Sequence, residues 1–336
     1  MKLFLHAGYV KTGSTAIQRS LALHKDYIEA HDICLPIKQK LLIHQIKGNS
    51  AAGNGETLRK AIVSGSLDSI INLIKEDLDA FEGYKNFLYS CENFFYVFAN
   101  RERFQLFNEA ISTLGFSDVK ILVYVRNPAS HALSWHGELI KLGRTTSTIT
   151  EFMNDYNYPA LAAKLVKLVD EISSSNLPVH LEFRNYSHLK NKAINTTWDW
   201  LKIPAPPEIS PEKLLSKNPV NRSLTASESE FCRQLIIGGC NPGFLARSLT
   251  VLIPSVEPIY SYPTLESVNN MYSKNLEYLQ ILNKYLSESE QLTLSAAAEN
   301  IDTSPCSIDQ FTFSSEQLIH IVKAIAPQLN EKYPLS

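Results

Sequence analysis

The sequence predicts an α/β protein: a P-loop-like, three-layer fold in which helices flank a central, mainly parallel sheet, with a helical C-terminal elaboration. Three observations predict it. Leu3 to Ala7 is a short apolar run that passes through a turn of small residues into helical spacing, with Ala16, Ile17 and Leu21 about one turn apart. Phe87 to Ser90 is a second buried-strand signal. Val119 to Val125 is a near-continuous apolar run bounded by helical segments, as the centre of a parallel sheet requires. A chain of 336 residues holds one large α/β domain with an elaboration or two smaller domains. The expected division is 1–224 for the α/β core and 225–336 for the helical elaboration packed on it, with no low-complexity linker between them.

The first strand leads into Gly8 to Gly13, a turn rich in backbone N–H groups, and Ser14 opens a helix. The N–H groups of the first helical turn, the hydroxyls of Ser14 and Thr15 and the ammonium of Lys11 can converge on one phosphate, with Gly13 allowing close backbone approach. A nucleoside-triphosphate loop ends in Gly-Lys-Ser/Thr. Here the order is Lys11-Thr12-Gly13-Ser14-Thr15, lysine before glycine, which disfavours a nucleoside triphosphatase. The run resembles the 5′-phosphosulfate loop of the PAPS-dependent sulfotransferases, Pro-Lys-Ser/Thr-Gly-Thr/Ser-Thr, with Val10 where proline is usual.

Next comes His31 to Pro36, a strand-like return closed by proline. Lys38 to Asn54 contains His44, and the polar run Lys47 to Gly55 is a mobile loop by composition. Helical periodicity from Glu56 to Leu78 is interrupted near Gly65. After the Phe87 strand stand Cys91, Glu92 and Asn93, then the aromatic stretch Phe94 to Phe98. A carboxylate at the carboxyl end of a parallel strand can face the cleft that Lys11 faces, and this makes Glu92 a general-base candidate. Capping the next helix is the other ordinary role for it. The segment resembles a Ser-x-Glu motif of bacterial sulfotransferase-like proteins.

Phe104 to Leu114 has helical spacing and leads into the Val119 strand. Arg126-Asn-Pro128 follows, with Ser134 eight residues beyond Arg126. Alone, these are a surface charge and a helix hydroxyl. Together they resemble the second nucleotide motif of sulfotransferases, an arginine at a strand end and a serine eight residues on. The resemblance implies that Arg126 and Ser134 hold the 3′-phosphate of PAPS, the arginine through its planar fork. It extends through Trp135 to Lys141.

Gly143 to Ser147 reads as a turn and Thr150 to Met153 as a helix start. Asn154 to Pro159 is either a lid that contacts the acceptor or a buried aromatic corner. Leu161 to Ile172 is helical, Pro178 to Phe183 a strand with Arg184 to Tyr186 as its exit, and Trp198 to Pro204 the end of another helix before the proline-rich crossing to Pro211. Asn218 to Leu224 resembles an Asn-x-Ser-Leu run of bacterial members, in which Arg222 is either a charge near the nucleotide or solvated; Asn221 is not read as a glycosylation site. The Arg-Lys-Gly run of cytosolic members does not occur. From Thr225 the chain is helical, broken at Gly238 to Gly243, with apolar Leu249 to Ile253, tyrosines at 260 and 262, and helices at Leu276 to Leu286 and Ser315 to Leu329.

With 32 Lys plus Arg against 34 Asp plus Glu, the net charge of −2 gives no general attraction for nucleic acid, so an anion site has to be local. Five scattered cysteines form neither a disulfide framework nor a metal-ligand pattern and imply a reducing compartment. The first residues do not read as a secretory signal, and no run of about 20 apolar residues follows, so the expected location is cytoplasmic.

The expected chemistry is sulfuryl transfer from PAPS, leaving PAP, to a hydroxyl on a carbohydrate or lipid-linked glycan, without a metal. Lys11, Thr12, Gly13, Ser14 and Thr15 take the 5′ end, Arg126 and Ser134 the 3′-phosphate, and Glu92 the proton, with His44 the competing base or an acceptor contact. Nothing in the sequence indicates a homo-oligomer. The rival readings are a non-catalytic nucleotide- or glycan-binding protein and a phosphoryl-transfer enzyme.

Overall fold

The computed structural model describes residues 1–47, 52–172, 177–189, 192–206, 223–253, 263–294 and 312–332. In chain order the elements are β1 (Lys2–His6), α1 (Ser14–Leu23), α2 (Lys25–Glu29), β2 (Ile33–Cys34), α3 (Gln39–Ile46), α4 (Glu56–Val63), α5 (Leu67–Ala80) and β3 (Asn86–Ser90). Then come α6 (Phe94–Phe98), α7 (Arg101–Thr113), β4 (Asp118–Val125), α8 (Pro128–Lys141), α9 (Ile149–Asn154), α10 (Tyr158–Ile172), β5 (Val179–Asn185), α11 (Tyr186–Leu189) and α12 (Ala193–Leu201). Helices Ala226–Ile237, Gly243–Leu252, Leu265–Lys274, Leu276–Asn283 and Ser315–Lys332 follow. The architecture is the expected one, a parallel sheet flanked by helices with further helices toward the C-terminus.

The five strands run parallel in the order β2-β3-β1-β4-β5. Leu3 and Leu5 of β1 are fully buried, as are Ile121 to Val125 of β4, because helices cover both faces of a parallel sheet. Alternation sorts the side chains. Phe4, Leu88, Leu122 and Tyr124 face a cluster formed by α1 (Ile17, Leu21) and α12 (Trp198, Trp200, Leu201). Phe4 meets Trp200 edge-on at 5.4 Å, and the Tyr124 hydroxyl donates to Ala193 O at 2.7 Å. On the opposite face the Tyr89 hydroxyl donates to Asp77 of α5 at 2.6 Å.

The chain divides into two compact units. The first holds the sheet and comprises Met1–Asn127, Asn157–Ser216 and Asn275–Thr293; the second comprises Pro128–Tyr156, Lys217–Lys274 and Leu294–Ser336. Within the second, Ile140, Leu224, Cys232, Leu245, Leu249, Ile253 and Ile321 form an apolar core. Two of its helices start with capping boxes, Thr148 with Glu151 and Thr225 with Glu228, which satisfy otherwise orphaned N–H groups. Glu228 is fully buried, and its carboxylate also accepts from Gln317 Nε2 at 2.7 Å.

Lys38 to Asn54, where the sequence pattern predicts no helix, holds α3. Leu41 and Leu42 pack on the α1 side of the sheet, and Arg19 Nε donates to Ile46 O at 3.1 Å. Residues 52–55, expected to be mobile, are pinned. Asn54 Nδ2 donates to Leu88 O at 2.8 Å, its Oδ1 accepts from Ser90 N at 2.8 Å, and Gly55 N donates to Ser90 O at 3.0 Å. The β2 strand pairs with β3 only at Asn86 and Phe87, and Asn54 with Gly55 takes over that edge at Leu88 and Ser90.

Candidate functional site

Three strands end together at the middle of the sheet. His6 stands opposite Ser90 of β3 and Leu122 of β4, and β4 continues to Val125. After β1 the chain crosses to β2 on one side, whereas β4 and β5 lie on the other. Ligands of open parallel sheets bind outside the carboxyl ends of strands at such a divergence. Residues 7–13, 91–93 and 126–127 form its rim.

The loop after β1 is bent by two residues in the left-handed region, Lys11 at φ 64° and Gly13 at φ 79°. Thr12 is buried and its hydroxyl donates to Tyr9 O, bracing the bend from inside. Gly13 is the N-cap of α1, and its carbonyl accepts from Ala16 N at 3.0 Å and Ile17 N at 3.1 Å. The N–H groups of Ser14 and Thr15, in the first turn, have no intrahelical acceptor, and the positive end of the helix dipole lies there. Lys11 and Thr15 are half-buried and Ser14 is buried.

Neighbouring strand ends hold this loop. Arg126 Nη1 donates to Lys11 O at 3.1 Å. Asn127 N donates to Ser187 Oγ at 3.1 Å, and Ser187 N to Asn185 Oδ1 at 2.9 Å, tying the end of β4 to that of β5. Between them the Tyr186 ring covers Gly13. A Cβ on Gly13 would stand 2.4 Å from Tyr186 Cε2, so glycine is required for space as well as for φ.

On the other side, a Cβ on Gly8 would lie 3.6 Å from the Glu92 Cα and 3.2 Å from the Ser14 Cβ, which sets Glu92 beside the loop. The N-cap position of α6 is Asn93, one residue beyond Glu92. The Glu92 charge acts on Tyr96, whose hydroxyl is hydrogen-bonded to Tyr9. Tyr9 lies against Tyr158 at 4.0 Å between ring centroids and edge-on to Phe95 at 4.9 Å. Burial pushes the phenols of Tyr9 and Tyr158 far above their ordinary range, so both stay protonated.

The structure thus brings together Lys11, Thr12, Gly13, Ser14, Thr15, Glu92 and Arg126. Ser134 is a half-buried residue of α8 in the second unit. His44 is exposed on α3. Of the expected acceptor patch, Tyr158 is buried in the aromatic corner just described, and Tyr156 hydrogen-bonds His131 in the second unit. Tyr96 is half-buried beside Glu92. Asn221, Arg222, Tyr260 and Tyr262 lie outside the described residues.

Three residues here lie outside the motifs that the sequence displays: His6, Asn54 and Tyr186. His6 is fully buried, its Nδ1 is 2.8 Å from Ser90 Oγ, and its Cε1 lies 3.6 Å from where a Gly8 Cβ would stand. Burial lowers its pKa to about 4, so the ring is neutral at pH 7. A histidine closing an otherwise apolar strand was the available signal. For Asn54 the signal was its two flanking glycines: a Cβ on Gly53 would lie 1.9 Å from Ser90 O, and one on Gly55 2.6 Å from the Phe94 ring. Tyr186 had none, since Gly13 is far away in sequence.

Compared with protein-family models and with curated proteins, the chain has no match. Among solved structures, the crystal structure of a sulfotransferase from Alicyclobacillus acidocaldarius matches with 16% identity and a TM-score of 0.34, covering 74% of this chain and 94% of that one. A likeness of that extent assigns no role to any residue.

Proposed function

We propose that the chain is a sulfotransferase that moves a sulfuryl group from PAPS to an acceptor hydroxyl on a carbohydrate or lipid-linked glycan. The observation that carries this reading is the meeting of Arg126 with Lys11. Each was assigned to a phosphate on separate sequence grounds, and the guanidinium of one donates to the carbonyl of the other at the N-terminus of α1. The donor set also fits a bisphosphorylated nucleotide: an ammonium, a guanidinium, two first-turn N–H groups and the hydroxyls of Ser14 and Thr15, all suited to anionic oxygen. Thr12 contributes through the bend, because its own hydroxyl is turned inward. The resemblance of Arg126 and Ser134 to the second nucleotide motif of sulfotransferases adds Ser134 as a donor to the 3′-phosphate.

PAPS supplies the activated sulfuryl group. Lys11 offsets the negative charge that a leaving phosphate oxygen gathers, and the first turn of α1 keeps the phosphate end oriented. Glu92 takes the proton of the acceptor hydroxyl as the oxygen attacks sulfur. Tyr96 beside it offers a ring face and a hydroxyl, which suit a sugar. His44, exposed on α3, is assigned an acceptor-side contact. On this reading residues 1–224 are the PAPS-binding core, 225–336 the helical elaboration, and the protein works in the cytoplasm.

Calorimetry with adenosine 3′,5′-bisphosphate, AMP and ATP tests the assignment. The bisphosphate should bind most tightly, and Arg126→Ala should remove that preference at a cost of about 2 kcal/mol, the worth of a hydrogen bond to a charged group. Equal affinity of the parent chain for AMP and the bisphosphate overturns the role of Arg126. Glu92→Gln that binds the bisphosphate normally but no longer turns over an acceptor would separate an enzyme from a binding protein.

A further inference from the structure

We infer that two packed turns of the second unit, the one that ends α8 and the one that joins the helices Ala226–Ile237 and Gly243–Leu252, dock on the surface of a bilayer that contains anionic lipid. The residues concerned have no part in the nucleotide reading, which stands or falls by others. What marks them is that exposed apolar side chains and exposed cations occur there together.

Glycines bring the two turns together. Gly143, at φ 67°, turns the chain at the end of α8, and Arg144 N donates to Leu139 O at 2.8 Å. A Cβ on Gly143 would stand 3.2 Å from Pro242 Cδ, and one on Gly243 would stand 3.5 Å from Lys141 O, so the end of α8 lies directly on the turn 238–243. Arg233, one turn before the end of its helix, donates through Nη1 to Thr146 O at 2.9 Å and fixes the segment after Gly143 along that helix. Three large apolar side chains stand out from these turns: Leu142 is 45% exposed, Ile237 54% and Phe244 65%. Their chain neighbours Ile140, Leu245 and Leu249 fill the apolar core from the inner side of the same helices.

The charge carried by these turns has one sign. Arg144 stands two residues from Leu142, and Arg247 lies one turn beyond Phe244 on its helix; both are exposed, and among the described residues neither forms an ion pair. Residues 139–150 and 231–253 contain no aspartate or glutamate. Of the carboxylates that flank these stretches, Glu230 pairs with Arg233 at 2.6 Å, Glu151 accepts from Thr148 N at 2.7 Å, and Glu138 is half-buried on α8. Apolar side chains beside arginines match the boundary between acyl chains and anionic headgroups: the side chains enter the first, and the guanidinium forks pair with phosphates of the second. Two copies of the patch in an isologous contact would set the same arginines face to face, which disfavours a second copy of the chain as the occupant. The cytoplasmic leaflet of a membrane carries anionic lipid, and a lipid-linked glycan would be presented at such a surface.

The experiment is flotation of the full chain with vesicles of phosphatidylcholine alone and of phosphatidylcholine containing one-quarter phosphatidylglycerol. The parent should bind the anionic vesicles at least about tenfold more tightly than the neutral ones, and raising salt from about 0.05 to 0.5 M should release it. Arg144→Gln combined with Arg247→Gln should weaken binding to the anionic vesicles about thirtyfold, roughly a factor of five for each cation. Phe244→Ser should weaken it about tenfold and leave the salt dependence in place. All three side chains are exposed, so both variants should unfold at the parent temperature; if the serine variant does not, the arginine pair decides alone. A parent chain that fails to float with anionic vesicles overturns the inference, as does flotation that neither variant weakens. Equal binding to neutral vesicles overturns the role of anionic lipid. A parent that stays off vesicles and sediments as a dimer that Phe244→Ser dissociates assigns the patch to a second copy of the chain instead.

Discussion

Beyond Cys34 the outer side of β3 is completed by the Asn54 amide, whereas at the far end of the sheet β5 is completed by the Glu290 carboxylate. Asn54 gives one donor to Leu88 O and one acceptor to Ser90 N, as a peptide group on a neighbouring strand would. Glu290 has only acceptors. It takes Asn185 N at 2.7 Å, and Arg184 brings Nε at 3.0 Å and Nη2 at 2.7 Å to the same carboxylate. The return bond comes from elsewhere on the residue: Asn185 Nδ2 donates to the Glu290 backbone oxygen at 2.9 Å. A neutral group can thus stand in for a missing rung without a counter-charge, while a charged one requires one and couples the strand end to it. The cleft lies between these two closures, and Asn185 links the charged one to the clasp around the α1 loop through Ser187.

The largest expected effect comes from breaking the charged closure. Glu290→Ala leaves the partly buried Arg184 guanidinium without its nearest carboxylate and Asn185 N–H without an acceptor, and should cost about 3–5 kcal/mol in urea unfolding. Glu290→Gln should cost less, because it keeps an acceptor for Asn185 N. If Glu290→Ala cost no more than Asn54→Ala, the two closures would be energetically alike and the contrast would fail.

His6, on the central strand between the two closures, supplies the pH test. Its folded pKa of about 4 lies below the ordinary 6.5, so the unfolded chain takes up the proton first. The stability contributed by the neutral ring is complete above about pH 6.5 and is lost as pH falls toward 4, by about 3 kcal/mol at most. Unfolding curves of the parent and of His6→Asn should converge over that interval. Parallel curves would mean that His6 does not titrate as its burial requires.

Asn54→Ala should cost about 2 kcal/mol, from a strand-edge carbonyl and N–H left without partners. Asn54→Asp sharpens the point. It retains the acceptor for Ser90 N but sets a carboxylate oxygen against Leu88 O, so it should be at least as damaging as alanine, although it is nearly isosteric. The smallest effect is that of salt: raising ionic strength from 0.05 to 1 M should weaken the Glu290 closure by less than about 0.5 kcal/mol and leave Asn54 unaffected.

These closures also show where the sequence was readable. The strands were legible because burial on both faces writes them as apolar runs, as in Ile121 to Val125, and the α1 loop because its lysine, glycine and hydroxyls adjoin in the chain. Glu92 was found by its position two residues past β3. Asn54, Tyr186 and Glu290 act on partners distant in sequence, and except for the two glycines flanking Asn54 nothing in their neighbours announces the contact. Asn54 was hidden further by its surroundings, since a run of glycine, serine and asparagine reads as loop whether or not one amide in it is anchored. The α3 helix was lost for a related reason: its apolar face is short, and the polar run begins right after it.

The position of β1 has a consequence for how the chain folds. The first strand to be made is the middle one, and its two partners, β3 and β4, follow only after long intervening segments, so that Lys2 pairs with Asn86 and Asp118. Until both are present, β1 has at least one unmatched edge and a strongly apolar sequence. Closing those pairings costs loop entropy before any non-local contact repays it, which makes sheet assembly slow and exposes the nascent chain to association with other copies. The α1 loop cannot acquire its clasp earlier than β5, the last strand of the sheet, so anion-binding competence should be among the final properties to emerge during refolding.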